Sequence, residues 1–297
     1  MKGLEKFVNE KLKVGTGIKK TEYHPNSKEE LVNLIINEIK TNGPTCSLNH
    51  IDVSNIKDMS YLLRGGNKDE FTMGHPILSE FNGDISDWDV SNVTDMKYMF
   101  ELCRYSGKNG DIFDWDVSKV TNMKGMFKFS NYNGDISRWD VSTVTNMSHM
   151  FMGSKYTGKD GGISGWDVSN VTNMTSMFAH SKFNGDLSNW DVSNVTSMMD
   201  MFNDCSYSGK YGGISDWDVS TVTNMQGMFN NNCNFNGDLS KWNVAKVVWF
   251  IWMFRNSTFS GDISTWNINP RAKGHMDGMF INSPLENTPP RWYYKYR

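Results

Sequence analysis

Every 24 to 27 residues the chain restarts one pattern, Asp-Ile-Ser-x-Trp-Asp-Val-Ser-x-Val-Thr-Asn-Met-x-x-Met-Phe, with its tryptophan at positions 88, 115, 139, 166, 190, 217, 242 and 266. A unit this short cannot bury its own apolar face, so successive units must stack into one continuous core. The expected architecture is an α/β repeat solenoid of nine coils of about 24–27 residues, each a short strand plus a short helical turn, behind an N-terminal helical cap.

The unit from Asn82 to Phe100 shows the logic. Asn82-Gly83 signals a turn, Asp84-Ile85-Ser86 can extend as a short strand, and Ile85, Trp88 and Val90 face inward. Thr94 or Asp95 then caps a single helical turn that sets Met96, Met99 and Phe100 on one face at i, i+3 and i+4. The same register repeats down the chain, with methionines at 96, 123, 147, 174, 198 and 225 and phenylalanines at 100, 127, 151, 178, 202, 229, 254 and 280. A methionine stripe could serve soft metals, but beside a phenylalanine ladder it reads as core. The aspartate after each tryptophan (Asp89, Asp116, Asp140, Asp167, Asp191, Asp218) reads as an Asx turn, a motif that Asn243 and Asn267 can also make. A row of calcium ions would need several acidic ligands per coil instead of one.

These boundaries divide the chain into a leader or short helix over 1–20, a helical cap over 21–46, repeats over 47–283 with an insertion at 64–80, and an aromatic C-terminal cap over 284–297. The cap helix opens on the capping box Ser27-Lys28-Glu29-Glu30, carries Leu31, Leu34, Ile35 and Ile39 on one face, and stops at Gly43-Pro44. A net charge of −3 lacks the basic excess of a nucleic-acid binder. No apolar window is long enough to span a membrane, and the first residues show no signal peptide, which favours a cytoplasmic or virion-associated place over the cell surface. The four cysteines, Cys46, Cys103, Cys205 and Cys233, have no metal-site spacing and read as free buried thiols, a Cys205–Cys233 disulfide being the one geometric alternative.

The repeat resembles those of BspA-like bacterial surface proteins and of mycoplasmal lipoproteins, which share the Asp-x-Ser-x-Val-Thr-x-Met-x-x-Met-Phe core. That resemblance covers about residues 47 to 283. It implies a leucine-rich-repeat-like solenoid with an adhesive or interaction role, and it brings no catalytic residues. A looser similarity links the first residues, with Leu4, Phe7, Val8 and Leu12 amphipathically spaced, to capsid-targeting leaders of internal proteins of tailed phages.

Two places stand out as candidate partner-binding surfaces. The longer units share Tyr105-Ser106-Gly107-Lys108, Tyr156-Thr157-Gly158-Lys159 and Tyr207-Ser208-Gly209-Lys210, spaced by 51 residues. They would set Tyr105, Lys108, Tyr156, Lys159, Tyr207 and Lys210 along one edge, or else be solvated turns only. In the eighth unit, Val247 to Phe254, register sends Phe250, Met253 and Phe254 inward and leaves Trp249, Ile251 and Trp252 facing out. An apolar patch of that size is covered by something. Its cover is either the chain's own tail, Pro289 to Tyr294, or a partner or second copy.

The six histidines share no motif, and no nucleophile–base or paired-acid constellation stands out. The reading is therefore a non-enzymatic scaffold without cofactor or metal, binding another protein or a copy of itself. Alternatives are a glycan-binding solenoid, whose tyrosine rows would stack on sugars, and a structural component of a virion.

Overall fold

In a computed structural model the repeat forms a stack of nine coils; residues 23–66, 75–159, 162–232 and 234–297 are described. The leader expected over 1–20, the middle of the insertion expected over 64–80, and Cys233 lie outside those residues.

Helix α1 (Lys28–Asn42) begins where the capping box places it, Ser27 Oγ accepting from Glu30 N–H at 3.2 Å. The Glu30 carboxylate accepts from Asn26 N–H, one residue earlier than the reciprocal bond of an ideal capping box. Leu31, Ile35 and Ile39 are buried in the same core as the first coil, and Lys28 Nζ reaches Asp58 and Ser60 of that coil. Helix α2 (Pro76–Ser79) is one short turn that buries Leu78, and α3 (Arg291–Tyr296) lies in the C-terminal tail.

The coils themselves are neither strands nor helices, which corrects the expectation of an α/β leucine-rich-repeat-like solenoid. Among the described residues there are three α-helices, one 3-10 turn at Pro270–Ala272 and no strand. The parallel pairings are isolated bridges that join successive coils from the first to the eighth, as in Asp95 with Asn122 and Asn122 with Asn146.

Hydrogen bonding over Met96 to Cys103 gives the physical reason. In a helix the N–H of Phe100 would return to the carbonyl of Met96. Instead the N–H groups of Met96, Tyr98, Phe100 and Leu102 donate to carbonyls of the next coil at 2.7–3.0 Å. The alternate N–H groups of Met99, Glu101 and Cys103 close tight turns onto the residue three back. Such a ribbon of turns needs left-handed backbone at two places per coil, and Tyr98 (φ 55°) and Leu102 (φ 57°) supply it in coil 2. Met96, Met99 and Phe100 still face inward, so their spacing fits both conformations.

The segment expected as a strand, Asp84 to Ser86, is likewise a turn. Asp84, Asp89 and Asp95 each accept from the N–H two residues on, at 3.0, 3.0 and 2.8 Å, so coil 2 has an Asx turn at each of its three bends. The aspartates after Trp115, Trp139, Trp166, Trp190 and Trp217 do the same, as does Asn243.

These bonds hold the Asp116, Asp167 and Asp218 carboxyls below the usual carboxylate range, the Ser118, Ser169 and Ser220 hydroxyls first and their backbone N–H groups second. Their folded pKa values lie below the unfolded ones, so the stabilisation is fully present above about pH 4 and is lost as pH falls through the folded values. Melting temperature is therefore expected to hold between pH 5 and 7 and to drop below about pH 4; a decline beginning near pH 6 would assign acid sensitivity to histidines instead.

The core is a set of stacked aromatic columns. Phenylalanine centroids from Phe100 to Phe280 lie 5.4–6.0 Å apart. The indole N–H of each repeat tryptophan from Trp88 to Trp266 donates to a carbonyl of the preceding coil, as Trp166 does to Ile136 at 3.0 Å. The tail extends this column: Trp292 stacks on Trp266 at 6.1 Å and donates to Ile263 at 2.9 Å. Cys103 and Cys205 are free and buried, and burial pushes their thiols up to about 12 and about 11. Both should resist iodoacetamide at pH 8 in the folded protein and alkylate in denaturant, as read by peptide mapping; labelling of either in the native state would contradict their placement.

Candidate functional site: the turn-ribbon face

The Tyr–Lys edge does not present its tyrosines. Tyr105, Tyr156 and Tyr207 are fully buried and share one column with Phe81, Tyr132, Phe183, Phe235 and Phe259. Burial raises the pKa of each phenol far above its ordinary value. The hydroxyls of Tyr105 and Tyr207 close their own loops by donating to the carbonyls of Gly110 and Gly212. In the longer coils the extra residues bring a carbonyl to the hydroxyl, whereas in a shorter one Tyr132 donates to Asp111 and to the carbonyl of Asp135. Lys108, Lys159 and Lys210 are exposed, so this edge offers lysines without aromatic partners from their own motif. The sequence signal for the column was an aromatic two residues before a glycine, common to Tyr105-Ser106-Gly107 and Phe81-Asn82-Gly83.

The eighth coil is as its register implies: Trp249 and Trp252 are 39% and 43% exposed and Ile251 is half-buried. The tail does not cover them. It sits on the end of the core, where Trp292 meets Trp266 and Tyr293 packs edge-on against Phe280. Within the coil stack, Trp249 packs on His275 at 4.0 Å, and Trp252 lies over Gly278 beneath the Arg255 guanidinium at 5.5 Å.

Both tryptophans belong to a larger surface, the outer side of the turn ribbon. Of the seven large apolar side chains exposed among the described residues, Leu102, Phe129, Trp249, Trp252 and Ile281 lie on it, in two groups near its ends. Sequence reasoning missed Leu102 and Phe129. They occupy the second left-handed position, where the other coils carry Gly153, His180, Asp204, Asn231, Asn256 and Asn282. A bulky side chain there costs roughly 1–2 kcal/mol of backbone strain. Glycine relieves that strain elsewhere and makes room as well: a Cβ at Gly125 or Gly153 would run into the ring of Tyr98 or Phe129.

The face is also graded in charge. At its N-terminal end Tyr61 stacks on Tyr98 at 5.2 Å, with Lys97 over Tyr61, Lys124 over Tyr98 and Lys128 over Phe129. Glu101, almost fully buried, joins Arg64 at 2.6 Å and Lys128 at 2.9 Å. The middle is small and polar, with Ser148, His149, Thr175 and Ser176. Burial, then Lys128 and Lys124, lowers the His149 pKa, so its ring is neutral at pH 7. Beyond it come Asp200, whose pKa burial raises, and the pair His180–Asp204 at 3.1 Å. Among the described residues, three side-chain atoms shut off from solvent have no hydrogen-bond partner, His149 Nδ1, Asn230 Oδ1 and Arg255 Nε, and all three residues lie on this face.

No group of three or more His, Cys, Asp or Glu among the described residues is placed to hold a metal ion, and none of the helices described is long and apolar enough to cross a membrane. The model of the family described as Mycoplasma protein of unknown function, DUF285, matches three times in tandem, over residues 37–131, 129–213 and 210–292. The chain belongs to the DUF285 family. Each of the three matches takes in several coils of this DUF285 chain, so the family's unit is a run of stacked coils. No curated protein and no solved structure matches it.

Proposed function

We propose that this DUF285 chain is a non-enzymatic repeat scaffold that holds another protein against its turn-ribbon face, in an interaction or adhesive role. The observation that carries this reading is the clustering on one face of exposed Leu102, Phe129, Trp249 and Trp252, three of them held at positive φ. Residues that strain the backbone without filling the core are kept for what they touch. The resemblance of the repeat to BspA-like surface proteins supports the same role. Glycan binding loses its tyrosine row to burial.

The test replaces Leu102, Phe129, Trp249 and Trp252 together by serine. Proteins co-purified from the producing cells by the wild type are expected to fall away while far-UV dichroism stays unchanged. Unchanged co-purification by the folded variant would remove the face from the account, and a glycan-array signal abolished by Trp249→Ser with Trp252→Ser would transfer it to sugars.

A further inference from the structure

The partner that best fits the turn-ribbon face is the same face reversed. Two copies meeting through a two-fold axis that crosses the stack keep each position of the ribbon opposite the same position, but in reversed coil order. Two pairings then fix the register independently, and a third agrees with it. Counting from Phe in each coil, Arg255 is one residue after Phe254 in coil 8, and the single carboxylate in that row is Glu101 of coil 2. Asn230 Oδ1, in the same row of coil 7, needs a donor, and of the row's cations, Arg64, Lys128 and Arg255, this register brings Lys128 of coil 3 opposite it. His149 lies two residues before Phe151 in coil 4, and the single carboxylate of that row is Asp200 of coil 6. In every case the coil numbers sum to ten, which puts the axis on coil 5.

Arg255, Asn230 and His149 are also the described residues with an unpartnered buried polar atom, so each can turn outward without losing a hydrogen bond from that atom. The same register sets Trp252 against Tyr98, joining the two aromatic ends. The coil at the centre offers small groups, Thr175, Ser176 and Ala179. An axis along the stack would instead face each coil with itself, leaving Arg255 and His149 without a carboxylate, since coils 8 and 4 carry none on this face, and bringing the two lysines of coil 3, Lys124 and Lys128, together. Nine coils at about 4.8 Å make a strip ~40 Å long, on the scale of a standard interface of ~800 Å² per partner.

We propose that the protein forms an antiparallel homodimer through its turn-ribbon faces, centred on coil 5. This rests on the face being an interaction surface and names a second copy as its occupant.

The test combines mass and register. Light scattering of the full chain at up to about 100 µM, above the micromolar Kd of weak interfaces, should give twice the 34.0 kDa chain mass. The variant Arg255→Glu, which opposes Glu101 twice per dimer, should weaken association at least tenfold. For register, His180→Cys lies in coil 5 and should link to itself through a short bismaleimide beyond the wild-type background. Asn231→Cys should not link to itself, yet it should link to Phe129→Cys when the two variants are mixed. A monomer at every concentration, or Asn231→Cys linking to itself as readily as His180→Cys, overturns the proposal. A monomer whose co-purified proteins still depend on Leu102, Phe129, Trp249 and Trp252 would leave the interaction face standing and refute only the second copy.

Discussion

Replacing Trp166 by alanine should remove about 4 kcal/mol of stability, a large share of the roughly 5–15 kcal/mol that holds a typical domain folded. Trp166 is 3% exposed at the centre of the stack, packs beside Trp139 at 6.5 Å and donates its indole N–H to Ile136. Truncation leaves a cavity between coils and an unpaired carbonyl, each unfavourable. Because every coil touches mainly its neighbours, a gap in the middle also uncouples the two halves. Denaturant unfolding of Trp166→Ala should show a lowered midpoint and two transitions in place of one. A variant with the wild-type midpoint would mean the indole column contributes little.

A chain ending at Thr288 should lose stability on a similar scale and self-associate. It lacks Trp292, which stacks on Trp266 and bonds Ile263, and Tyr293, which packs against Phe280. Their removal exposes the apolar end of a continuous core, and terminal caps keep repeat stacks soluble. The expected signs are a melting temperature lower by several degrees and concentration-dependent aggregates through the open end. An unchanged melting temperature would reduce the tail to an ornament of the last coil.

The core was largely legible in the sequence, since Ile85, Trp88, Val90, Met96, Met99 and Phe100 are all buried as the repeat implies. The local conformation was not. Apolar spacing of i, i+3 and i+4 is shared by a helix and by a ribbon of turns. What separates them is the run of glycine, asparagine and aspartate at one register, Gly153, Asp204, Asn231, Asn256 and Asn282, which favours left-handed backbone. The buried tyrosines were hidden for a different reason. Their coils are longer, and Tyr-Ser-Gly-Lys looked like a separate motif until Tyr105 fell into the column of Phe81. The outward tryptophans were legible because they break a polar register, and Leu102 and Phe129 break one too. Their meaning became visible only when the left-handed positions were known.

If the turn-ribbon face carries the binding, partners touch one side of the stack and not the others. A photoreactive benzoylphenylalanine placed around the girth of coil 3 distinguishes the sides: at Phe129 on the ribbon face, at Thr121 on a second side and at Asp114 on a third. Irradiation in the producing cells should give protein adducts from position 129 and essentially none from 121 or 114. Adducts of equal yield from all three positions would contradict a dedicated face.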